Sequence, residues 1–298
     1  MWRGLLAKLG IALVVLGALG LAFVAFQLWG TGLLQARHQA ALRSQFDASL
    51  PPEAQHWSTH VHSVGAPRTA PTASGPATGR PVGTIQIPSI GLDQVIVEGV
   101  GEGQLQLGPG HYPETPLPGE AGNAGIAGHR TTWGRPFYDL DELVPGDAIV
   151  ITTTQGRFTY DMTSFQVVDP TDVSVLDPTA DPTLTLTTCN PRFSAAQRLV
   201  VHARLVASTL PTSSPAPLAT PAPRTVATPS LDPAQGSWLP ALAWGTGCAL
   251  LAAAVLVAVR RLSARWARAL TVVAGAGAFA VGLFFFFAAL SQLLPANY

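Results

Sequence analysis

Charged side chains are scarce in this sequence. Only 11% of its 298 residues are Asp, Glu, Lys or Arg, whereas soluble domains average about 25%. The hydrophobic share is 48% and the mean hydropathy is +0.31, so the missing charge predicts membrane-spanning segments. Basic and acidic residues number 17 each. Nucleic-acid-binding domains usually carry a basic excess, so this balance argues against a nucleic-acid partner.

Cysteine is also rare, and Cys189 and Cys248 are the two examples. Cys248 lies in an apolar run and Cys189 in a polar domain, so the two thiols are not expected to form a disulfide. Cys189 is therefore either a small buried residue or a reactive thiol. Cys248 is interpreted as an apolar residue of a membrane span.

Three apolar runs are long enough to cross a bilayer, which takes about 20 residues. The first, Leu5 to Trp29, predicts an N-terminal anchor within residues 1–32. A cleaved signal peptide is the alternative, but this run is longer than the apolar core of such a peptide. The other two predict spans at 238–259 and 269–294. A buried hairpin of soluble helices is their alternative, although neither run has a polar face.

Arginines predict how these spans are oriented. The loop at 260–268 contains four of them, and basic loops next to membrane spans stay in the cytoplasm. Arg3 and Lys8 assign the N-terminus to the same side. Residues 30–237 are then expected on the outer face of the membrane.

Two segments dominated by Pro, Ala, Ser and Thr bracket a central domain at 82–206. The first belongs to residues 33–81, where 33–49 predicts a juxtamembrane helix and 64–81 an extended linker. The second is a flexible linker at 207–237. Such compositions bury too little apolar surface to fold by themselves.

The central domain has the alternating pattern of β-strands. Runs rich in Val, Ile and Thr are separated by turns with Gly or Pro, and they predict strands at 82–87, 94–98, 124–127, 147–153, 157–168, 183–189 and 198–206. Strands of this number and spacing are typical of an all-β sandwich or barrel. Pro136 to Val144 is the one helical segment of note.

Three chemically interesting side chains fall at the ends of predicted strands. Leucines alternate toward the core in the strand that ends at Cys189, so Cys189 faces the other way. Arg198 begins the next strand, and we expect it on the same surface. His129 follows an earlier strand after one glycine.

A thiol, an imidazole and a guanidinium on one surface suit acyl transfer. Cys189 would be the nucleophile, and His129 could give a proton to a leaving amine and take one from an incoming amine. Arg198 would donate hydrogen bonds to a developing oxyanion. Arg192 and Arg204 are the alternatives for that last role.

Other polar residues have two interpretations each. Thr187 and Thr188 either contact substrate or fill strand positions, and His111 either lines the groove or is an ordinary loop histidine. A zinc site made of Cys189, His111 and His129 lacks the close ligand spacings of known zinc motifs. The sequence therefore predicts neither a metal nor a cofactor.

The motifs around these residues resemble those of the sortase family. The family signature T-L-x-T-C reads Thr185 to Cys189 here, and the family's arginine matches Arg198 nine residues later. The family's histidine matches His129 in GIAGHR. The stretch GPGHYPETPLPGEAGNAGIAGHRTTWGRPFYDLDELVPGD is most similar to class E sortases and less so to class D. The resemblance covers about 82–206.

This resemblance implies a closed eight-stranded β-barrel with short helices, beside the three transmembrane helices. It also implies a membrane-anchored cysteine transpeptidase of a Gram-positive-type bacterium, with Cys189, His129 and Arg198 as catalytic residues. Its substrates would be secreted proteins with an LAxTG- or LPxTG-type sorting signal, cleaved between Thr and Gly. The acceptor would be a cell-surface amine such as that of a peptidoglycan precursor. A cysteine hydrolase and a catalytically silent membrane scaffold are the alternatives.

Overall fold

The computed structural model describes residues 2–52, 54, 68–210 and 238–291. Contacts divide the chain into two compact units, one made of Met1–Thr31 with Leu231–Ala296 and the other of Gly32–Ser230 with Asn297–Tyr298. The helices are α1 (Trp2–Ala25), α2 (Thr31–Ser49), α3 (Glu102–Leu105), α4 (Leu239–Arg261) and α5 (Arg265–Ser291). The strands are β1 (Pro81–Ile87), β2 (Leu92–Glu98), β3 (Gly110–His111), β4 (Asn123–Ala127), β5 (Ala148–Thr153), β6 (Gly156–Val168), β7 (Thr183–Asn190) and β8 (Gln197–Thr209).

The eight strands form a closed barrel in the order β1-β2-β3-β4-β7-β8-β6-β5. Most neighbours are antiparallel, but β4 pairs with β7 in parallel and so does β2 with β3. Closure leaves no unpaired sheet edge. The predicted eight-stranded barrel is thereby confirmed.

Alternate side chains of each strand fill the barrel. On β8 the inward residues are Leu199, Val201, Ala203 and Leu205, as the alternation predicts. Ile85, Ile126, Ile151 and Leu186 from four other strands pack against them with no exposed surface. Burial of a large aliphatic side chain stabilises a fold by about 1.5–3 kcal/mol, so this interior holds β4, β7 and β8 in register.

Three local features differ from the sequence-based prediction. Strand β3 is only two residues long and was not predicted. The segment Pro136 to Val144 contains a 3-10 turn at Leu140–Glu142 instead of a longer helix. Helix α3, between β2 and β3, was not predicted. All three are too short for periodicity to reveal.

Helix α2 packs on the outside of the barrel. Its Leu42 and Phe46 are buried, and Leu42 packs against Val95 of β2. The side chain of Gln39 accepts a hydrogen bond from the Val95 N–H at 2.7 Å and donates to the Val95 carbonyl at 3.0 Å. Gln35 of the same helix occupies the space beside Gly134, where a Cβ would overlap its amide. Helix α2 therefore supports both β2 and the loop that follows His129.

The sequence predicts an extended linker at 64–81. Residues 68–80 are instead attached to the barrel, which corrects that prediction for the described part. Ala70 donates a backbone hydrogen bond to the Gly119 carbonyl at 2.7 Å, and the Ala73 N–H donates to the buried Glu120 carboxylate at 2.7 Å. The described part of the predicted linker is fixed to the barrel because its backbone amides find acceptors there. Residues 64–67 and 211–237 lie outside the described residues.

In the helical unit, α4 and α5 are each long and apolar enough to cross a membrane, as is the N-terminal helical segment. Trp244 of α4 stacks on Phe285 of α5 with ring centroids 4.8 Å apart. Phe23 of α1 meets Phe287 of α5 edge to face at 5.2 Å. The last residues of the predicted span at 269–294 lie outside the described part of the chain.

Candidate active site

Cys189 and Arg198 lie opposite each other on β7 and β8. They are register partners in the antiparallel ladder, and Nη1 of Arg198 is 4.0 Å from Sγ of Cys189. The same nitrogen donates to the Ala195 carbonyl at 3.1 Å. The guanidinium is therefore held beside the sulfur by the turn that joins the two strands.

His129 is delivered to the same end of the barrel by the parallel pair β4 and β7. Ala127 is the register partner of Thr187, and the N–H of Gly128 donates to the Thr187 carbonyl at 3.0 Å. The hydroxyl of Thr188 donates to the Gly128 carbonyl at 2.7 Å. His129 and Cys189 each lie two residues beyond these register partners, so the two strands carry both side chains to one edge.

Burial controls the ionisation of both groups. The His129 side chain is almost fully buried, and this desolvation lowers its pKa to about 4. Burial also raises the pKa of the Cys189 thiol, while the positive charges of Arg198 and Arg130 oppose that rise. Since desolvation disfavours both charged forms, a neutral thiol and a neutral imidazole are favoured at neutral pH.

Thr187 and Thr188 are both buried, and they directly precede Cys189 near the end of β7. The Thr187 hydroxyl is 3.0 Å from the hydroxyl of Tyr112, whose pKa is raised mainly by burial. Thr188 holds the His129 segment through the Gly128 carbonyl. Tyr112 was not singled out from the sequence, because only the fold brings it to β7.

His111 does not line an open groove, because its side chain has no exposed surface. Its Nδ1 is 2.9 Å from Oε2 of Glu98, and its Nε2 is 2.9 Å from the Pro116 carbonyl. His111 thereby gives the buried Glu98 carboxylate a hydrogen-bond partner. The interpretation of His111 as a groove residue is therefore corrected to a structural one.

The two alternative arginines lie elsewhere. Arg192 binds Asp139 and Asp141 at 3.2 and 3.0 Å and stacks on Tyr138, with its guanidinium carbon 4.3 Å from the ring centroid. Arg204 is exposed and pairs with Thr183 at the opposite end of β7. The geometry favours Arg198 over both.

Arg130 is a further residue that sequence reasoning missed. Its side chain is buried and its Nη1 donates to the carbonyl of Cys189 at 3.1 Å. Its position directly after His129 was the one available signal.

The barrel segment is similar in sequence to known proteins. A family model described as sortase domain matches residues 85–206. Sortase E1 of Streptomyces coelicolor is 35% identical over 217 residues, which cover 66% of this chain and 56% of that protein. Sortase D of Bacillus subtilis is 35% identical over 136 residues, which cover 44% of this chain and 67% of that protein.

Solved structures are similar as well. The crystal structure of sortase E1 from Streptomyces coelicolor with a tripeptide in the active site is 35% identical, with a TM-score of 0.43, and the match covers 46% of this chain and 94% of that one. The chain spans just over half the length of the curated sortase E1. Because sortase D is 35% identical over 67% of its own length, and the sortase-domain model matches the barrel segment, this chain belongs to the sortase family, whose members are cysteine transpeptidases.

Proposed function

We propose that this chain is a membrane-anchored transpeptidase in which Cys189 is the nucleophile, His129 the acid and base, and Arg198 the oxyanion stabiliser. The observation that carries the proposal is the register pairing of Cys189 with Arg198, with Nη1 4.0 Å from Sγ. Membership of the sortase family supports the reaction class.

In the acylation step, the sulfur of Cys189 attacks the threonine carbonyl of a sorting signal. Because burial favours the neutral thiol and imidazole, the thiol proton passes to His129 as the C–S bond forms. The Arg198 guanidinium donates hydrogen bonds to the oxygen that becomes negative. The Thr–Gly bond then breaks, and His129 gives the proton to the departing glycine amine.

In the transfer step, an amine takes the place of the leaving peptide. It attacks the thioester carbonyl and loses a proton to His129, and Arg198 again stabilises the oxyanion. The C–S bond breaks and the sulfur recovers the proton, so a new amide forms with no net redox change. The substrates proposed are secreted proteins with an LAxTG- or LPxTG-type signal, and the acceptor is a peptidoglycan-precursor amine.

The three apolar helices would anchor this chemistry at the membrane, with the barrel on the outer face. The arginines that end α4 and begin α5 support a cytoplasmic position for the loop between them. In a background with Cys189→Ala and Cys248→Ala, Ser263→Cys should react with a membrane-impermeant maleimide only after the cells are permeabilised. A cysteine at the exposed Val173 should react in intact cells, and the reverse labelling pattern would contradict the orientation.

The proposal is tested with the whole 298-residue chain in detergent micelles. The protein is incubated with fluorogenic peptides that vary the sorting motif, with and without a primary amine, and products are identified by mass spectrometry. Cleavage after threonine with formation of an amine-linked product is expected. Cys189→Ala should abolish both products.

The alternatives give different results in the same assay. Cleavage with no ligated product at any amine concentration would identify a hydrolase. No cleavage of any peptide in the library, together with an unreactive Cys189, would contradict catalysis and favour a membrane scaffold. Cys248→Ala is the matched control because it removes the other thiol, which lies in α4.

A further inference from the structure

Arg130 is a buried cation at the junction of the two segments that carry His129 and Cys189. Its side chain has only 2% of its surface exposed. Arg130 directly follows His129 in the chain, yet it donates hydrogen bonds to residues 59 and 60 positions later. One side chain therefore links the two halves of the proposed catalytic pair.

Arg130 contacts the backbone of Cys189 and the side chain of the next residue, which ends β7. Nη1 donates to the Cys189 carbonyl at 3.1 Å and to Oδ1 of Asn190 at 2.8 Å. Nη2 forms an ion pair with Asp141 at 2.8 Å. The planar guanidinium presents these donors in a fixed arrangement, which a lysine cannot reproduce.

Stability alone is a weak explanation for this arrangement. A buried ion pair is often no more stabilising than apolar residues of the same size, because both charges lose their hydration. Asp141 is moreover 40% exposed on its side chain, so water weakens its attraction to Arg130. The specific consequence of Arg130 is that the Cys189 carbonyl has a fixed direction.

We propose that Arg130 is a positioning residue for the transfer reaction, holding the Cys189 end of β7 against the His129 segment so that sulfur and imidazole keep a reactive geometry. This inference rests on the proposed role of Cys189 as nucleophile. Misplacement of a reacting group by about 1 Å can cost about 100-fold in rate. The charge of Arg130 has a second effect, because it lowers the pKa of the Cys189 thiol against the effect of burial.

Arg192 provides a matched control. It binds the same Asp141 carboxylate, at 3.0 Å, and donates to the Tyr138 carbonyl at 3.3 Å, which Nε of Arg130 also approaches at 3.5 Å. The described contacts of Arg192 are with Asp139, Asp141, Glu142 and Tyr138, and they do not include Cys189. Replacing it perturbs the same neighbourhood and leaves the Cys189 carbonyl bonded to Arg130.

The test uses the whole 298-residue chain in detergent micelles, with Cys248→Ala as background so that Cys189 is its single thiol. Variants Arg130→Met, Arg130→Lys and Arg192→Met are compared. One readout is kcat and KM for peptide cleavage, normalised to the concentration of reactive thiol. The other is the pH dependence of Cys189 alkylation by iodoacetamide, which needs no peptide substrate.

Arg130→Met should lower kcat by about 100-fold, leave KM nearly unchanged and move the alkylation midpoint to higher pH. Arg130→Lys should restore the midpoint more than it restores kcat, since it keeps the charge and loses the planar donors. Arg192→Met should change kcat by no more than about twofold. Arg130→Lys also serves as the informative variant if Arg130→Met does not fold.

The proposal is overturned if kcat per reactive thiol in the Arg130 variants stays within twofold of the parent, or if Arg192→Met causes an equal loss. If the parent protein cleaves no peptide, the proposed function fails separately. In that case a shifted alkylation midpoint in Arg130→Met still supports the link to Cys189, and an unchanged midpoint rejects it.

Discussion

Arg198 reaches Cys189 directly across the antiparallel ladder of β7 and β8, and its Nη1 is 4.0 Å from the sulfur. This separation places the guanidinium charge beside the sulfur, where a substrate oxygen bonded to the reacting carbon would also lie within reach of its N–H groups. The turn carbonyls that hold it are only a few residues away on the same chain. The strand register therefore fixes the position of the Arg198 charge beside the sulfur.

Arg198→Ala should lower kcat by about 100- to 1,000-fold, the usual effect of removing one oxyanion donor. Arg198→Lys should be intermediate because it keeps the charge. Steady-state cleavage of a sorting peptide measures both. Arg204→Ala on the same strand is the control, and an equal loss in that variant would remove the argument for a direct role of Arg198.

Acid should destabilise the barrel through His129. The unfolded chain takes up this proton near the ordinary pKa of 6.5, whereas the folded chain takes it up only near 4. Full stability is therefore present above pH 6.5 and is lost as pH falls toward 4, by about 3 kcal/mol for this group. Urea unfolding at several pH values measures the slope. His129→Asn should flatten it, and an unchanged slope in that variant would assign the effect to other groups.

Helix α2 should contribute to the stability of the barrel unit. Phe46 is 1% exposed, and its replacement by alanine should lower the free energy of unfolding by about 3–5 kcal/mol. Leu33 on the same helix is 64% exposed, so Leu33→Ala should cost no more than about 0.5 kcal/mol. Equal effects of the two substitutions on urea midpoints would show that α2 does not dock as described.

His111 should affect stability and leave substrate binding unchanged. His111→Phe removes the ring nitrogens that meet Glu98 and Pro116, so it leaves buried acceptors without partners and should cost about 1–3 kcal/mol. KM of the folded fraction should stay at the wild-type value. A raised KM with an unchanged free energy of unfolding would instead indicate that His111 lies in the substrate groove.

Sequence patterns were sufficient for the long strands and for the end of β7, because alternation and the T-L-x-T-C motif are local. They also indicated that Cys189 and Arg198 share a surface, since two strands joined by a short turn pair with each other. Strand β3 escaped prediction because its two residues are ordered by pairing with β2 and β4.

Non-local hydrogen bonds, and the burial of polar side chains that depends on them, could not be predicted. His111 lies in a loop-like sequence, and its role depends on Glu98, 13 residues earlier. Arg130 binds a carbonyl 59 residues later. The Pro-rich residues 68–80 have the composition of a linker, but barrel groups such as Glu120 give their amides fixed partners. Each of these contacts joins residues that are far apart in the sequence, so no local pattern reveals it.

Covalent capture of a peptide on Cys189 tests the central claim most directly. The whole chain is incubated with a sorting peptide without added amine, quenched in acid and digested for mass spectrometry. We expect the acyl part of the peptide, ending in threonine, as a thioester on the fragment containing Cys189, and its loss when an amine is added before quenching. Cleavage of the peptide with the acyl group on another residue, or on none, would contradict the account.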